Sequence, residues 1–185
     1  QVDRQFDAYR GAGLAKRALD MLEKLASDEP AKYQVFWKAF GRVLKEGPAE
    51  DAANRERIAK LLRFTTTRSG GDEPDRSLAD YAAGKADGQK HLWFVTADSL
   101  AAARSSPHLE IFRKKGIEVL LLADPIDEWV AGHLGEFDDL EFRDIRRGEL
   151  DLEDVGGKEE HKASESAGEH ARDLHGELVE ISPPH

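Results

Sequence analysis

The sequence predicts a mixed α/β protein, in which a three-helix unit is followed by a small three-layer αβα unit with a short, mainly parallel sheet. Two patterns support this fold class. Up to about residue 63, apolar residues recur at the helical spacings of three and four, whereas from residue 91 short apolar runs alternate with helical segments. Strands that alternate with helices pair in parallel, because each connecting helix carries the chain back across the sheet.

Three helices are predicted in the first part of the chain. Residues 14–26 place one apolar stripe on the first helix, formed by Leu14, Ala18, Leu22 and Leu25. The second helix begins at the capping groups Ser27 or Asp28, with Pro30 in its first turn, and its apolar face consists of Tyr33, Phe36, Trp37, Phe40 and Leu44. Gly47 is expected to end this helix, and Pro48 to help begin a third helix over about residues 49–63.

The strands of the αβα unit follow a polar, turn-rich loop at residues 65–75. Ser77 with Asp80 is typical of a capping box that opens a short helix. Three strands are then predicted by two apolar runs and one alternating pattern, at residues 91–97, 117–122 and 140–145.

Helices are expected to connect these strands. One begins at Asp98 or Ser99, and a second begins at Ser106 and Pro107 and runs to Lys115, before Gly116. The last helix extends from Ile126 to about Leu134. We therefore expect a helical coil subdomain at 1–70, a small αβα subdomain at 71–152 and an acidic, weakly ordered tail at 153–185, because the tail is charged and nearly free of large apolar residues.

Composition excludes several classes of function. The chain has no cysteine, so disulfides, thiol catalysis and cysteine metal sites are ruled out. No run of about 18 apolar residues exists, so no membrane span is expected. The net charge is −10, and such a balance disfavours nucleic acid, whose phosphates need clustered cations. These features fit a cytoplasmic protein, and the first residue, Gln1, suggests a piece of a longer chain.

Three carboxylates follow the second predicted strand, on Asp124, Asp127 and Glu128. They are compatible with an active site, a helix start or a binding surface. As a helix start, Asp124 caps the helix, Pro125 takes its first position, and the other two acids lie in its positive first turn. As an active site, they would form a small α/β metal-dependent hydrolase, which would require a base or a metal cluster that the sequence does not reveal.

Trp129 follows these acids directly. Ile126, Val130 and Leu134 supply the buried stripe of the short helix, and at ~100° per residue Trp129 lies at the edge of that stripe. A tryptophan in such a position is a candidate anchor for a binding partner.

Four stretches closely resemble the middle domain of the ninety-kilodalton heat-shock chaperones, the Hsp90 family, in its bacterial HtpG branch. They read FWKAFGRVLKEGPAEDAANRERIAKLLRF, SLADY, DGQKHLWFVTADSLAAARSSPHLEIFRKKGIEVLLLADPIDEW and LGEFDDLEF, and the resemblance covers about residues 14–152. It implies a helical coil followed by a small αβα unit. It also implies an ATP-dependent, homodimeric chaperone that remodels partly folded client proteins together with a seventy-kilodalton, DnaK-type chaperone.

The same resemblance implies roles for particular residues. The client-contacting acid and tryptophan of the family fall on Glu128 and Trp129, and the contact for the seventy-kilodalton chaperone falls on Lys16 and Arg17. A polar residue three places after the tryptophan in some bacterial members is here Gly132. The family's nucleotide site and its catalytic arginine loop are expected upstream, so no catalytic residue, cofactor or metal is expected within this segment; ATP and Mg²⁺ belong to the full-length family.

Overall fold

The structure is a computed structural model that describes residues 2–148 and residue 152, with side chains described from residue 15 onward. Gln1 and the predicted acidic tail at 153–185 lie outside the described residues. The predicted subdomain boundaries stay predictions. The fold class is confirmed, since a group of helices is followed by a small sheet with parallel strands and helices on both of its faces.

Two long helices open the chain, α1 (Val2–Asp28) and α2 (Pro30–Glu50). Glu29 alone separates them and is the N-cap of α2, although its side chain makes no cap bond, so the capping predicted for Ser27 or Asp28 is wrong. The predicted end of α2 at Gly47 is also wrong, because Pro48 lies inside the helix. A proline in the last turn removes only one helical hydrogen bond, and the buried Pro48 ring gains packing in return. None of the described helices is both long and apolar enough to span a membrane.

The third predicted helix is shorter than expected. A 3₁₀ turn (Ala52–Asn54) leads into α3 (Arg55–Leu61), which ends where Leu62 becomes extended and β1 (Arg63–Phe64) begins. Arg57 holds α3 to α1, since its guanidinium donates from Nε to Glu23 at 2.8 Å and from Nη2 to Asp20 at 2.5 Å.

The predicted loop at 65–75 is confirmed: it contains no helix or strand, it lies between two short strands, and one isolated bridge joins Thr66 to Leu120. β1 pairs antiparallel with β2 (Arg76–Ser77), and the Thr65 and Thr67 backbones bond to Leu121 and Val119 at 2.9 and 3.0 Å. The buried carboxylate of Glu118 holds the loop in place, because it accepts hydrogen bonds from Thr66 Oγ1 at 2.6 Å and from the Arg76 guanidinium at 2.9 Å.

The remaining elements form the αβα unit. The helices are α4 (Leu78–Ala83), α5 (Leu100–Arg104), α6 (Leu109–Lys114) and α7 (Pro125–Leu134). The strands are β3 (His91–Thr96), β4 (Leu120–Leu122), β5 (Glu136–Phe137) and β6 (Leu140–Asp144), and a 3₁₀ turn (Ile145–Arg147) follows. The capping box of Ser77 and Asp80 is confirmed. Helix α6 begins later than predicted, because Ser106 and Leu109 close a turn before it.

The sheet has the order β4-β3-β6-β5. β3 pairs in parallel with both β4 and β6, as the alternation of strands and helices predicts. Strand β5 was not predicted from the sequence; it forms a tight antiparallel hairpin with β6 through Asp138 and Asp139 at positive φ. Two residues of strand between a helix and a turn leave too short a pattern to detect.

Alternate residues of β3 and β4 point into two separate cores. One face contributes Leu92, Leu120 and Leu122 to a core shared with α2, α3, α4 and α7. The opposite face contributes Trp93, Val95 and Leu121 to a core shared with α5 and α6. Helix α7 therefore lies between the sheet and the helical unit, and it packs closely against α2.

Candidate functional site

The start of α7 is built as the sequence predicts. Asp124 is the N-cap, and its Oδ1 accepts from the Ile126 backbone N–H at 3.1 Å. Pro125 occupies the first helical position, and the helix ends at Gly135, whose φ of 69° suits a residue without a Cβ. One of the three carboxylates is thereby explained by capping.

Asp127 points inward, in contrast to Glu128 beside it. The Asp127 carboxylate is buried and forms an ion pair with Lys45 of α2. The Lys45 ammonium also lies over the rings of Trp37 and Phe64, at 5.7 and 5.6 Å from their centroids. Burial raises the pKa of the Asp127 carboxyl above its usual range, although the positive charge of Lys45 acts in the opposite direction. This ion pair, which sequence reasoning missed, joins α7 to the helical unit.

Glu128 is exposed and stands between two clefts at the carboxyl ends of the parallel strands. One cleft, of about 350 Å³, contains Asp98 and Asp124. The other, of about 700 Å³, has Phe94 and Phe142 among its lining residues, together with arginines of the β6 end. Asp144, and to a smaller extent Glu128, raise the pKa of the Arg146 guanidinium, so the Glu128 charge faces that arginine.

Trp129 lies at the edge of the buried stripe, as predicted, with 40% of its surface exposed. Neither of the two clefts that Glu128 lines includes it, because neighbouring helical residues point ~100° apart. The Trp129 indole instead contacts the imidazole of His133 one turn later, with ring centroids 4.3 Å apart. Sequence reasoning missed His133, although its spacing of four from Trp129 is a usable signal.

The three carboxylates do not converge. Asp124 caps the helix, Asp127 is paired with Lys45 in the interior, and Glu128 projects into the clefts. Among the side chains that the structure describes, from residue 15 onward, no group of three or more histidine, aspartate or glutamate residues has the arrangement needed to hold a metal ion. The geometry therefore gives no support to a metal-dependent hydrolase at this position.

Lys16 and Arg17, the residues matched to the partner-chaperone contact, are both exposed on α1. They belong to the helical unit, in which α1 packs against α2 and α3. Exposure makes both cations available to an acidic surface, and their role stays a prediction.

Comparison with known proteins identifies the family. The sequence model of the Hsp90 protein family matches residues 11–181, which extends past the resemblance noted above into part of the acidic tail. The chain is 55% identical over 168 residues to the chaperone protein HtpG of Alkalilimnicola ehrlichii, and 54% identical over 159 residues to that of Halorhodospira halophila. These alignments cover 91% and 86% of this chain but only 26% and 25% of the relatives, so the chain spans about a quarter of their length.

A solved structure supports the same assignment. The middle domain of a heat-shock protein from Plasmodium falciparum superposes with a TM-score of 0.70 at 27% identity, covering 76% of this chain and 58% of that one. The chain therefore belongs to the Hsp90 family of chaperones, and its described part corresponds to the family's middle domain.

Proposed function

We propose that this chain is the client- and partner-binding segment of an ATP-dependent chaperone of the HtpG type. The observation that carries the proposal is the outward face of α7, where Trp129 keeps 40% of its surface exposed on a helix that is otherwise well anchored. An exposed tryptophan offers a large apolar area with few rotatable bonds, which suits contact with the apolar side chains of partly folded proteins. Glu128 adds a negative charge beside it.

The test of client binding uses the variant Trp129→Ala. A permanently unfolded, reduced and carboxymethylated lactalbumin serves as the client, and its affinity is measured together with the stability of the variant. We expect the affinity to fall by roughly 1–3 kcal/mol, the scale of an interface anchor, while the melting temperature changes little. A loss of about 3–5 kcal/mol of stability with unchanged client affinity per folded molecule would instead identify Trp129 as a core residue.

The second part of the proposal concerns the partner chaperone. Lys16 and Arg17 would bind an acidic surface of a DnaK-type protein through their exposed charges. Reversing both charges should weaken this binding and reduce its dependence on salt, whereas stability should change by less than about 0.5 kcal/mol. Normal binding by the double variant at low salt contradicts the assignment.

The full-length protein would carry the remaining functions of the family: ATP hydrolysis with Mg²⁺, homodimerisation and action in the cytoplasm. For this segment alone we expect no turnover of ATP at chaperone-like rates, because the family's nucleotide site belongs to another domain. An ATPase assay on the purified segment measures this, and activity that survives repurification would contradict the expectation.

A further inference from the structure

The outward face of α7 contains a second ring beside Trp129. His133 lies one helical turn further on, and the two ring planes are inclined by 45° at a centroid distance of 4.3 Å. This separation is within the range of favourable aromatic pairs. Both side chains are exposed, so the pair forms on the surface of the protein. Packing in the core therefore does not force the two rings together.

The His133 ring is itself fixed in orientation. Its Nδ1 lies 2.7 Å from the carbonyl oxygen of Trp129, which makes Nδ1–H the donor of a hydrogen bond to the backbone of the same turn. An imidazole held in this way restricts the rotation of the indole that it contacts. Without the imidazole, the exposed Trp129 side chain would lose conformational freedom on binding a ligand, and this loss weakens binding.

Gly132 keeps the neighbouring space open. Apart from its two chain neighbours and the helix backbone, a Cβ at this position would meet no atom within 4 Å, and Gly132 is exposed on the same side of the helix. The Trp129 indole therefore contacts His133, and open space lies next to it over Gly132. An apolar or aromatic side chain from an extended peptide segment can lie in this space against the indole.

We propose that His133 is a positioning residue for client binding, which holds the Trp129 indole outward so that it receives an apolar side chain of an unfolded segment. This inference rests on the proposed function of Trp129. We infer that His133 affects client binding only through Trp129 and does not itself contact the client.

The experiment compares single and double variants of the whole chain. Affinity for carboxymethylated lactalbumin is measured for His133→Ala, Trp129→Ala and the double variant, with His133→Phe as the variant that keeps an aromatic ring. His108→Ala is the matched control, because His108 is also an exposed histidine of the same unit, at the N-cap position before α6, and makes no side-chain cap bond. Fluorine NMR of 5-fluorotryptophan-labelled protein reports on the indole directly, and Trp129→Phe identifies its resonance.

The expected results are specific. His133→Ala should weaken client binding about twofold to tenfold, as the loss of an aromatic pair implies, and should shift the Trp129 resonance in the absence of client. His133→Phe should retain most of the affinity, and His108→Ala should match the unsubstituted chain. In the background of Trp129→Ala, removing His133 should have no further effect.

Two outcomes would overturn the inference and leave the proposed function standing. The first is an affinity of His133→Ala for the client equal to that of the His108→Ala control, while Trp129→Ala binds weakly. The other is full additivity in the double variant, which would mean that His133 contacts the client independently. If Trp129→Ala itself binds normally, the proposed function fails instead.

Discussion

Replacing Lys45 by methionine removes the positive charge that faces Asp127 and tests how α7 is anchored to the helical unit. The side chains of the pair are 14% and 10% exposed, so most of their surface is out of water. Removing one partner of a buried pair costs about 3–5 kcal/mol, because the other charge stays buried without compensation. Methionine keeps the contact with the Trp37 and Phe64 rings, so we expect a loss near the lower limit, about 3 kcal/mol at pH 7.

The pH dependence gives this prediction a second, independent check. An aspartate whose pKa is higher in the folded protein than in the unfolded chain, where it is about 3.9, contributes most stability at low pH and loses that contribution as pH rises through its folded pKa. Burial already raises the pKa of Asp127, and Lys45 counteracts this effect. Without Lys45 the pKa rises further, so the cost of Lys45→Met should be smaller at pH 5 than at pH 7.

Urea denaturation at both pH values measures these free energies. The control is Lys32→Met, which breaks the exposed pair with Glu29 at 2.8 Å and should cost less than about 1 kcal/mol. A double variant with Asp127→Leu should recover much of the lost stability, since an apolar pair replaces the ionic one. A cost for Lys45→Met no larger than that for Lys32→Met, at both pH values, would refute the reasoning.

Two further predictions concern the ends and the outer face of α7. Asp124→Ala should reduce the free energy of unfolding by about 0.5–2 kcal/mol, because the Ile126 N–H loses its acceptor, and urea denaturation measures this loss. Gly132→Ala should increase stability by roughly 0.5–1 kcal/mol, since the added Cβ meets no atom within 4 Å apart from its chain neighbours and the helix backbone, and alanine favours the helix; a rise in melting temperature would detect this. A lower melting temperature for Gly132→Ala would show that the position is more crowded than the structure indicates.

Local patterns predicted the features of α7 that depend on neighbours in sequence. The cap at Asp124 follows from the residue types around one turn, and so does the capping box of Ser77 and Asp80. The edge position of Trp129 follows from helical periodicity alone, because the apolar residues spaced by four define the buried side. These signals need no knowledge of which other element packs on the helix.

The features that sequence reasoning missed depend on distant residues. Nothing in the order of Asp127 and Glu128 indicates which of them points inward, since that depends on where α2 and Lys45 lie. Helix α2 continues past Pro48 because the ring is buried against other elements, and this packing overrides the local tendency of proline to begin a helix. Strand β1 at residues 63–64 also depends on a distant partner. It pairs with β2, which lies on the far side of a loop, so the local sequence does not indicate a strand there.

Three successive residues of α7 thus have three separate physical roles. Asp127 binds Lys45 in the interior, Glu128 carries its charge into the clefts at the strand ends, and Trp129 pairs with His133 on the surface. Because Val130, Ala131 and Leu134 are buried, the helix is held in place without help from the tryptophan. An anchored helix loses little backbone conformational entropy when one of its exposed side chains binds a ligand, and removing that side chain does not open a cavity. Because Lys45 pairs with Asp127 in the interior and Trp129 lies on the surface, substitutions at Lys45 should change stability, whereas substitutions at Trp129 should change affinity for the client.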